Sequence, residues 1–576
     1  MSWTRHVAVR GPALLCAGLL AVTSVVVPQL AARADDSRVE TPVATSSPIT
    51  DVVESVVKVK VPLPDSVGPH PAACEWLSYL RFRHKDGPSA SASADKILIA
   101  QPGVLEGAGA FDSVARNTIK AAAAKGRHIE FWALDRRSNC LEDGAGLRAG
   151  LAAEDPHVAI DYYYRGKVVD GAKFAGYQTN DQVKWLQNIG LEQTVRDQYD
   201  LMVKELPGQA LRKQKVLCGG HSLGGVLTGF FAVWDFDGDH ATTGDAGYNQ
   251  CSGYFALDTS IQAGPISVDG QVPSIPQIDL GPAVVKAGLE SGIIPRTLSA
   301  PAVINSETMN LLAIAGLAAR IAPDAQSDLA QYIPSGFNQD TTYRVLFSKD
   351  LATFLAGSPS IKDFKVTNSV ALGALMDDNS EPLGFIQASV GFFDGGKIAD
   401  KDFPLPNDLA KIPGLEMFSR FLGNEKKAIP DQPNGPLYTW RNYDRVGAPD
   451  DPAYKSKDGT PFTTAAKEVT DIHELARSLS EHPLDFTEHY FPTRMVTDIQ
   501  LSASPTLFKD AVHKEGLTAN PTINLLAGDG LFPREPGANV VIAAGYQHLD
   551  VLTAAPVQNG GKPEPISVNL ADFTTR

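Results

Sequence analysis

Apolar and polar positions change rhythm several times along this chain. Residues 35–70 hold Thr, Ser, Pro and acids with little sustained period apart from Val52 to Val61, which predicts a linker carrying one strand. Beyond it, short apolar runs alternate with helix-period segments. Ile97-Leu98-Ile99-Ala100 stops at Gln101-Pro102-Gly103, and Ile129 to Leu134 stops at Asp135-Arg136-Arg137. Val216-Leu217 and Tyr254 to Leu257 follow, with helical stretches such as Gln193 to Glu205 between them. Runs bounded in this way by turn residues are strands, and strands alternating with helices predict an α/β fold with a mostly parallel sheet covered by helices on both faces.

The rhythm is lost after Gln262. Residues 263–491 contain many prolines and helical signals such as Met309 to Ile321 and Thr470 to Leu479, without a clear series of strands, before Thr522 to Ala527 restores the strand pattern. The 576 residues exceed what one hydrophobic core commonly uses. They divide into a first core segment over 71–262, a large and mainly helical lid insertion over 263–491, and a second core segment over 492–576. Met309 to Ile321 is apolar almost all round apart from Asn310 and Arg320. It predicts a helix buried in the insertion, or alternatively one lining an acyl pocket, and it is too short to span a bilayer.

At the start, Arg5 and Arg10 precede an apolar run from Gly11 to Val27, and Ala32-Arg33-Ala34 offers small residues for cleavage. This reads as a secretory signal peptide over 1–34, removed after Ala34. Its loss leaves 48 of 51 basic residues against 66 acidic ones and moves the net charge from -15 to -18. A surface of that sign repels polyanions, so nucleic acid and anionic membranes are not expected as partners, and no stable membrane insertion is expected. Cys16 departs with the signal. The four remaining cysteines, in an oxidising compartment, predict two disulfides with three possible pairings, of which Cys74 with Cys140 and Cys218 with Cys251 is the expectation, a free buried thiol at Cys218 being the alternative.

Gly220-His221-Ser222-Leu223-Gly224, after Lys215-Val216-Leu217-Cys218 and before a helix-compatible stretch to Trp234, has the form of a nucleophile elbow. Serine stands at the apex of a sharp strand-to-helix turn, and the glycines sit where a Cβ would strike neighbouring backbone. A serine hydroxyl is a weak nucleophile and needs a base, which in turn needs an acid to fix its tautomer. Thr522 to Ala527 followed by Gly528-Asp529 delivers a carboxylate at the end of a late strand, and Gly545 to Asp550 delivers His548 in a loop. Ser222, Asp529 and His548 are therefore the expected triad, with Asp258 or Asp550 as alternative acids. Two backbone NH groups should form the oxyanion hole. One is that of Leu223, and the other lies in the loop Gln101 to Gly107, where Val104 is the expectation and Leu105 or Gly103 the alternatives. His221 points away from the serine in this reading, and His473, His482 and His489 belong to the insertion.

Together these residues resemble the α/β-hydrolase superfamily and, within it, lipases and esterases, whose elbow often reads Gly-His-Ser-x-Gly. The resemblance covers roughly residues 71–262 and 492–576. It implies an eight-stranded, mostly parallel sheet and metal-free hydrolysis through an acyl-enzyme. The chain departs from the pattern at Pro102-Gly103, where His-Gly is usual, and in the length of its insertion.

Asp235-Phe236-Asp237-Gly238-Asp239 invites comparison with a calcium loop, but His240 and Ala246 stand where an EF-hand needs Gly and Glu, so a solvated acidic turn is expected. There is no cysteine pair with metal-ligand spacing and no dinucleotide-binding motif, so neither metal nor cofactor is expected. The sequence predicts a secreted enzyme acting on a small-molecule or lipid ester. The same triad would also serve an amidase, a peptidase or an acyltransferase, and a non-catalytic binding protein is the remaining alternative. Oligomeric state is not encoded in these patterns.

Overall fold

The computed structural model describes residues 37–266, 281–300, 303–405, 408, 422–423, 425–481, 483–503 and 508–576. The expected signal segment, 1–34, lies outside the described residues. Nine strands form the main sheet: β1 (Arg38–Val43), β2 (Val52–Lys60), β3 (Trp76–His84), β4 (Ile97–Gln101), β5 (Glu130–Asp135), β6 (Val216–His221), β7 (Gly253–Leu257), β8 (Thr522–Ala527) and β9 (Val540–Ala543). Their order is β1-β2-β3-β5-β4-β6-β7-β8-β9. The β1-β2, β2-β3 and β3-β5 pairings are antiparallel, and every pairing from β5 to β9 is parallel.

Successive side chains of a strand face opposite sides of the sheet, so a strand buried at every position is covered on both. β4, β6 and β7 are buried throughout, in agreement with the unbroken apolar runs. The covering helices fall into two groups. α1 (Asp112–Ala123) packs on the C-terminal helix Pro565–Thr574, while α2 (Leu191–Glu205) packs on α3 (Leu223–Val233).

The stretch expected as a linker with one strand, 35–70, instead contains both β1 and β2, which extend the sheet to nine strands where eight are implied by the resemblance. Arg38 explains how the edge is fixed in place: its Nε donates to Glu205 on α2 at 3.0 Å. Cys74 is joined to Cys140 and Cys218 to Cys251, the expected one of the three pairings.

Among the described residues the insertion is mainly helical, with α4 (Ser306–Ile321), α5 (Ile472–Ser480) and helices such as Pro282–Ser291, Phe337–Phe347 and Asn368–Met376. Beside them it contains a three-stranded sheet of Lys365–Val366, Leu437–Asn442 and Gly391–Asp394 and a two-stranded one of Ile398–Asp400 and Ala428–Pro430. Apart from Leu437–Asn442, these strands have four residues or fewer, too few to leave a visible period in the sequence. α4 starts on a capping box, with Asn305 Oδ1 accepting from the NH groups of Glu307 and Thr308 at 3.0 and 3.1 Å and Thr308 Oγ1 accepting from the Asn305 NH at 3.0 Å. Twelve consecutive residues, Thr308 to Ala319, are buried, so an all-round apolar helix is an interior one. It lies so close to α5 that a Cβ on Gly316 would stand 2.6 Å from Leu479 Cβ. Residues from Ser37 to Arg576 form one compact unit, which makes the insertion part of the body. No helix among the described residues is long and apolar enough to cross a membrane.

Candidate active site

Ser222 follows β6 directly, at φ 54° and ψ -117°, and is the N-cap of α3. A serine held at positive φ is a strained position that the surroundings must impose. They do so through the flanking glycines: a Cβ on Gly220 would lie 2.3 Å from the Gln101 carbonyl oxygen, and one on Gly224 only 2.0 Å from it. The end of β4 thus runs against the elbow, and no larger residue fits on either side of the serine.

Adjacent strands bring the partners together. His221 is in register with Leu257, and the Ser222 NH donates to the Leu257 carbonyl at 3.1 Å, so Ser222 and Asp258 leave neighbouring strands side by side. His548 Nδ1 lies 2.5 Å from Asp258 Oδ2, with both side chains buried. The carboxylate also accepts from the Ala527 NH at 3.0 Å and the Leu531 NH at 3.4 Å. With Nδ1–H directed to Asp258, Nε2 is the nitrogen left to exchange a proton. His548 is held below the ordinary histidine range by burial and by His221 beside it, although Asp258 opposes the shift, and a base must be neutral to act.

Asp529 is not the partner of His548. Its side chain is exposed and its NH donates to the Tyr546 carbonyl at 2.8 Å. The Gly528-Asp529-Gly530 turn instead receives the acid of the neighbouring strand: a Cβ on Gly530 would lie 2.4 Å from Asp258 Oδ2. Asp550 is also excluded from the ring of His548, since its carboxylate accepts from the NH groups of Gln547 and Ser389 and from Thr470 Oγ1 at 2.7, 3.0 and 2.6 Å.

The loop after β4 is fixed from two sides. Glu106 Oε2 accepts from the Gly103 NH at 2.6 Å, and Arg136 donates to the carbonyls of Pro102 and Gly103. Gly103 therefore has no NH to offer. Among the described residues the NH groups of Leu223 and of both Val104 and Leu105 have no acceptor, so the loop offers Val104 and Leu105 alike.

His221 has a role the sequence did not reveal. Its Nδ1 meets Glu106 Oε1 at 2.7 Å and its Nε2 meets the His548 carbonyl at 2.9 Å. The carbonyl can only accept, so Nε2 carries hydrogen, and Nδ1 and Glu106 share the other hydrogen bond. Burial opposes charge on the ring, but Glu106 outweighs it and raises His221 above the ordinary range, while burial likewise fails to prevent His221 from lowering Glu106. The pair links the β4 loop, the elbow and the backbone of His548.

His489 is buried with Nε2 3.7 Å from Asp485 Oδ2 and its NH donating to Glu142 Oε1 at 2.8 Å, and burial lowers it to about 4, while His473 is exposed. His482 lies outside the described residues. The insertion reaches the site through Gln547, whose Nε2 donates to Asp378 Oδ2 at 3.0 Å, and through the Leu549 NH, which donates to the Gln387 carbonyl at 3.0 Å.

No protein-family model matches this chain, and no curated protein matches it. Among solved structures, the juvenile hormone epoxide hydrolase of the silkworm Bombyx mori is similar at 11% identity and a TM-score of 0.27, over 90% of this chain and 77% of that one, a likeness too loose to assign an activity.

Proposed function

We propose that this chain is a secreted serine hydrolase of the α/β-hydrolase fold that cleaves carboxylic esters through an acyl-enzyme on Ser222, with His548 as base and Asp258 as its acid. The observation that carries this reading is the buried 2.5 Å contact of His548 with Asp258 beside a serine held at positive φ. The strand order, parallel from β5 to β9 with the serine at the end of a central strand, supports the fold assignment.

In the reaction, the Ser222 hydroxyl attacks the carbonyl carbon as its proton passes to His548 Nε2. Asp258 stabilises the imidazolium that forms, and the NH groups of Leu223 and Val104 receive the oxyanion. The positive end of α3 adds to that stabilisation. His548 returns the proton to the leaving alkoxide, and water repeats the sequence on the acyl-enzyme. Glu106 and His221 are positioning residues: they hold the β4 loop at Gly103 and the backbone of His548. An acid bonded to the base, a base held below the ordinary histidine range and NH groups at the elbow and the β4 loop support this reading.

Hydrolysis of a chain-length series of p-nitrophenyl esters by the wild type and by Ser222→Ala tests the proposal. Turnover in the wild type should fall in the variant by about 10⁴-fold or more. No ester turnover in the wild type, or equal turnover in both proteins, would reject it.

A further inference from the structure

The loop that leaves α3 and returns to β7 carries a second constellation, independent of the function proposed above. Asp235, Asp237 and Asp245 each bring one carboxylate oxygen to within 4.8 Å of the other two. The expected solvated turn describes the exposed Asp237 and Asp239 but not Asp235, which is completely buried. Backbone NH groups occupy only half of the oxygens. Asp235 Oδ1 accepts from the NH groups of Asp237 and Gly238 at 3.2 and 2.8 Å, and Asp245 Oδ2 accepts from those of Phe236 and Asp237, both at 2.6 Å. Asp235 Oδ2 and Asp245 Oδ1 are buried and have no hydrogen-bond partner.

A buried carboxylate oxygen without a donor, beside two further carboxylates, is a place that requires positive charge. Among the described residues no protein cation supplies it. His240 pairs with Asp510 at 3.1 Å, and Arg196 donates to the Phe236 carbonyl at 3.2 Å. The donor set is oxygen alone, in an irregular loop that can adapt its geometry, and those are the preferences of calcium, as opposed to a transition metal.

We infer that Asp235, Asp237 and Asp245 form a structural calcium-binding site that fixes the loop between α3 and β7. The EF-hand spacing misses it because Asp245, the third ligand, comes from the far side of the loop. Its position is structural in consequence: the Asp235 NH donates to the Asp510 carbonyl and the Gly247 NH to that of Trp234, so the loop closes on the end of α3.

Terbium luminescence on the full chain, after removal of metal by a chelator, tests the site, with excitation through Trp234 next to Asp235. Saturable emission displaced by calcium is expected, together with a rise in Tm of about 3 °C at millimolar calcium. Asp237 is exposed, so Asp237→Asn should keep the chelated wild-type Tm while binding terbium at least tenfold more weakly and losing the calcium-dependent rise. A wild type that shows neither emission nor a shift in Tm overturns the inference. So does wild-type terbium affinity in both Asp237→Asn and Asp245→Asn.

Discussion

The sheet and the insertion both bury carboxylates close to the His548 loop, and they handle them differently. In the sheet, Asp258 sits at the end of β7, where free backbone NH groups from the β8 turn and the ring of His548 meet its oxygens. In the insertion, Asp377, Asp378 and Glu468 converge in irregular chain, completely buried. Burial raises Asp377 and Glu468 well above the ordinary carboxylate range, with Asp378 adding to both shifts, and pushes Asp378 itself up to about 7. Lys427 is lowered by burial in the same network despite the acids around it. The sheet half also holds both disulfides, and none of the four cysteines lies in the insertion. The strand end thus meets its acid with backbone NH groups and a histidine ring, whereas burial in the insertion raises its acids. Because Asp378 holds Gln547, the residue before His548, the second arrangement braces the first.

Asp258→Asn should break this comparison most severely. The amide removes the charge that orients His548 and stabilises its protonated form, and a loss of about 10⁴-fold in kcat is expected with little change in KM. Steady-state ester hydrolysis measures it, and a variant within tenfold of wild type would show that another acid serves His548. The next effect is on stability. Replacing Cys74 and Cys140 together with serine frees a loop with a sequence separation of 66 residues, and chain entropy predicts a loss of about 4 kcal/mol. Chemical denaturation should register this in the sheet; an unchanged midpoint would mean that the sheet, like the insertion, is held without its covalent tie.

Asp378→Asn tests the insertion with a smaller effect and a defined sign. The folded state holds the Asp378 proton up to about pH 7, whereas an unfolded chain releases it near the ordinary carboxylate value of 3.8. Folding therefore binds a proton, and this term lowers wild-type stability as pH rises from about 4 to about 7. The asparagine variant lacks the term. Its Tm relative to wild type should climb by a few degrees across that window and level off above it, as thermal melts between pH 4 and 8.5 would record. A difference that stays flat with pH would show that Asp378 is ionised throughout.

Much of this was legible in the chain. The elbow, the buried strands and the buried α4 all follow from local pattern, because each is set by neighbours close in sequence. The acid was not. Asp258 and Asp529 both end apolar strands, both lie between Ser222 and His548 in chain order, and only the register of β7 against β6 and β8 distinguishes them. The Glu106–His221 pair was hidden for the same reason, since 115 positions separate its members. The insertion left least trace: its strands are short, and its buried acids look like surface residues when charge alone is read.

Asp529→Asn gives the smallest effect and sharpens the comparison of the two acids. Asp529 lies in the turn that receives Asp258, yet its own side chain is exposed, and the contact it makes to the Tyr546 carbonyl uses the backbone NH, which asparagine retains. Its charge acts on Lys467 only as one of several acids that raise that lysine, behind Glu425. An exposed substitution that keeps the backbone donor should change stability by less than about 0.5 kcal/mol. The kcat for ester hydrolysis should stay within about twofold of wild type, set against the loss expected for Asp258→Asn. A fall in kcat comparable to that of Asp258→Asn would mean that the turn exchanges its acids during catalysis and that the carboxylate facing His548 at rest is not the one that stabilises its imidazolium.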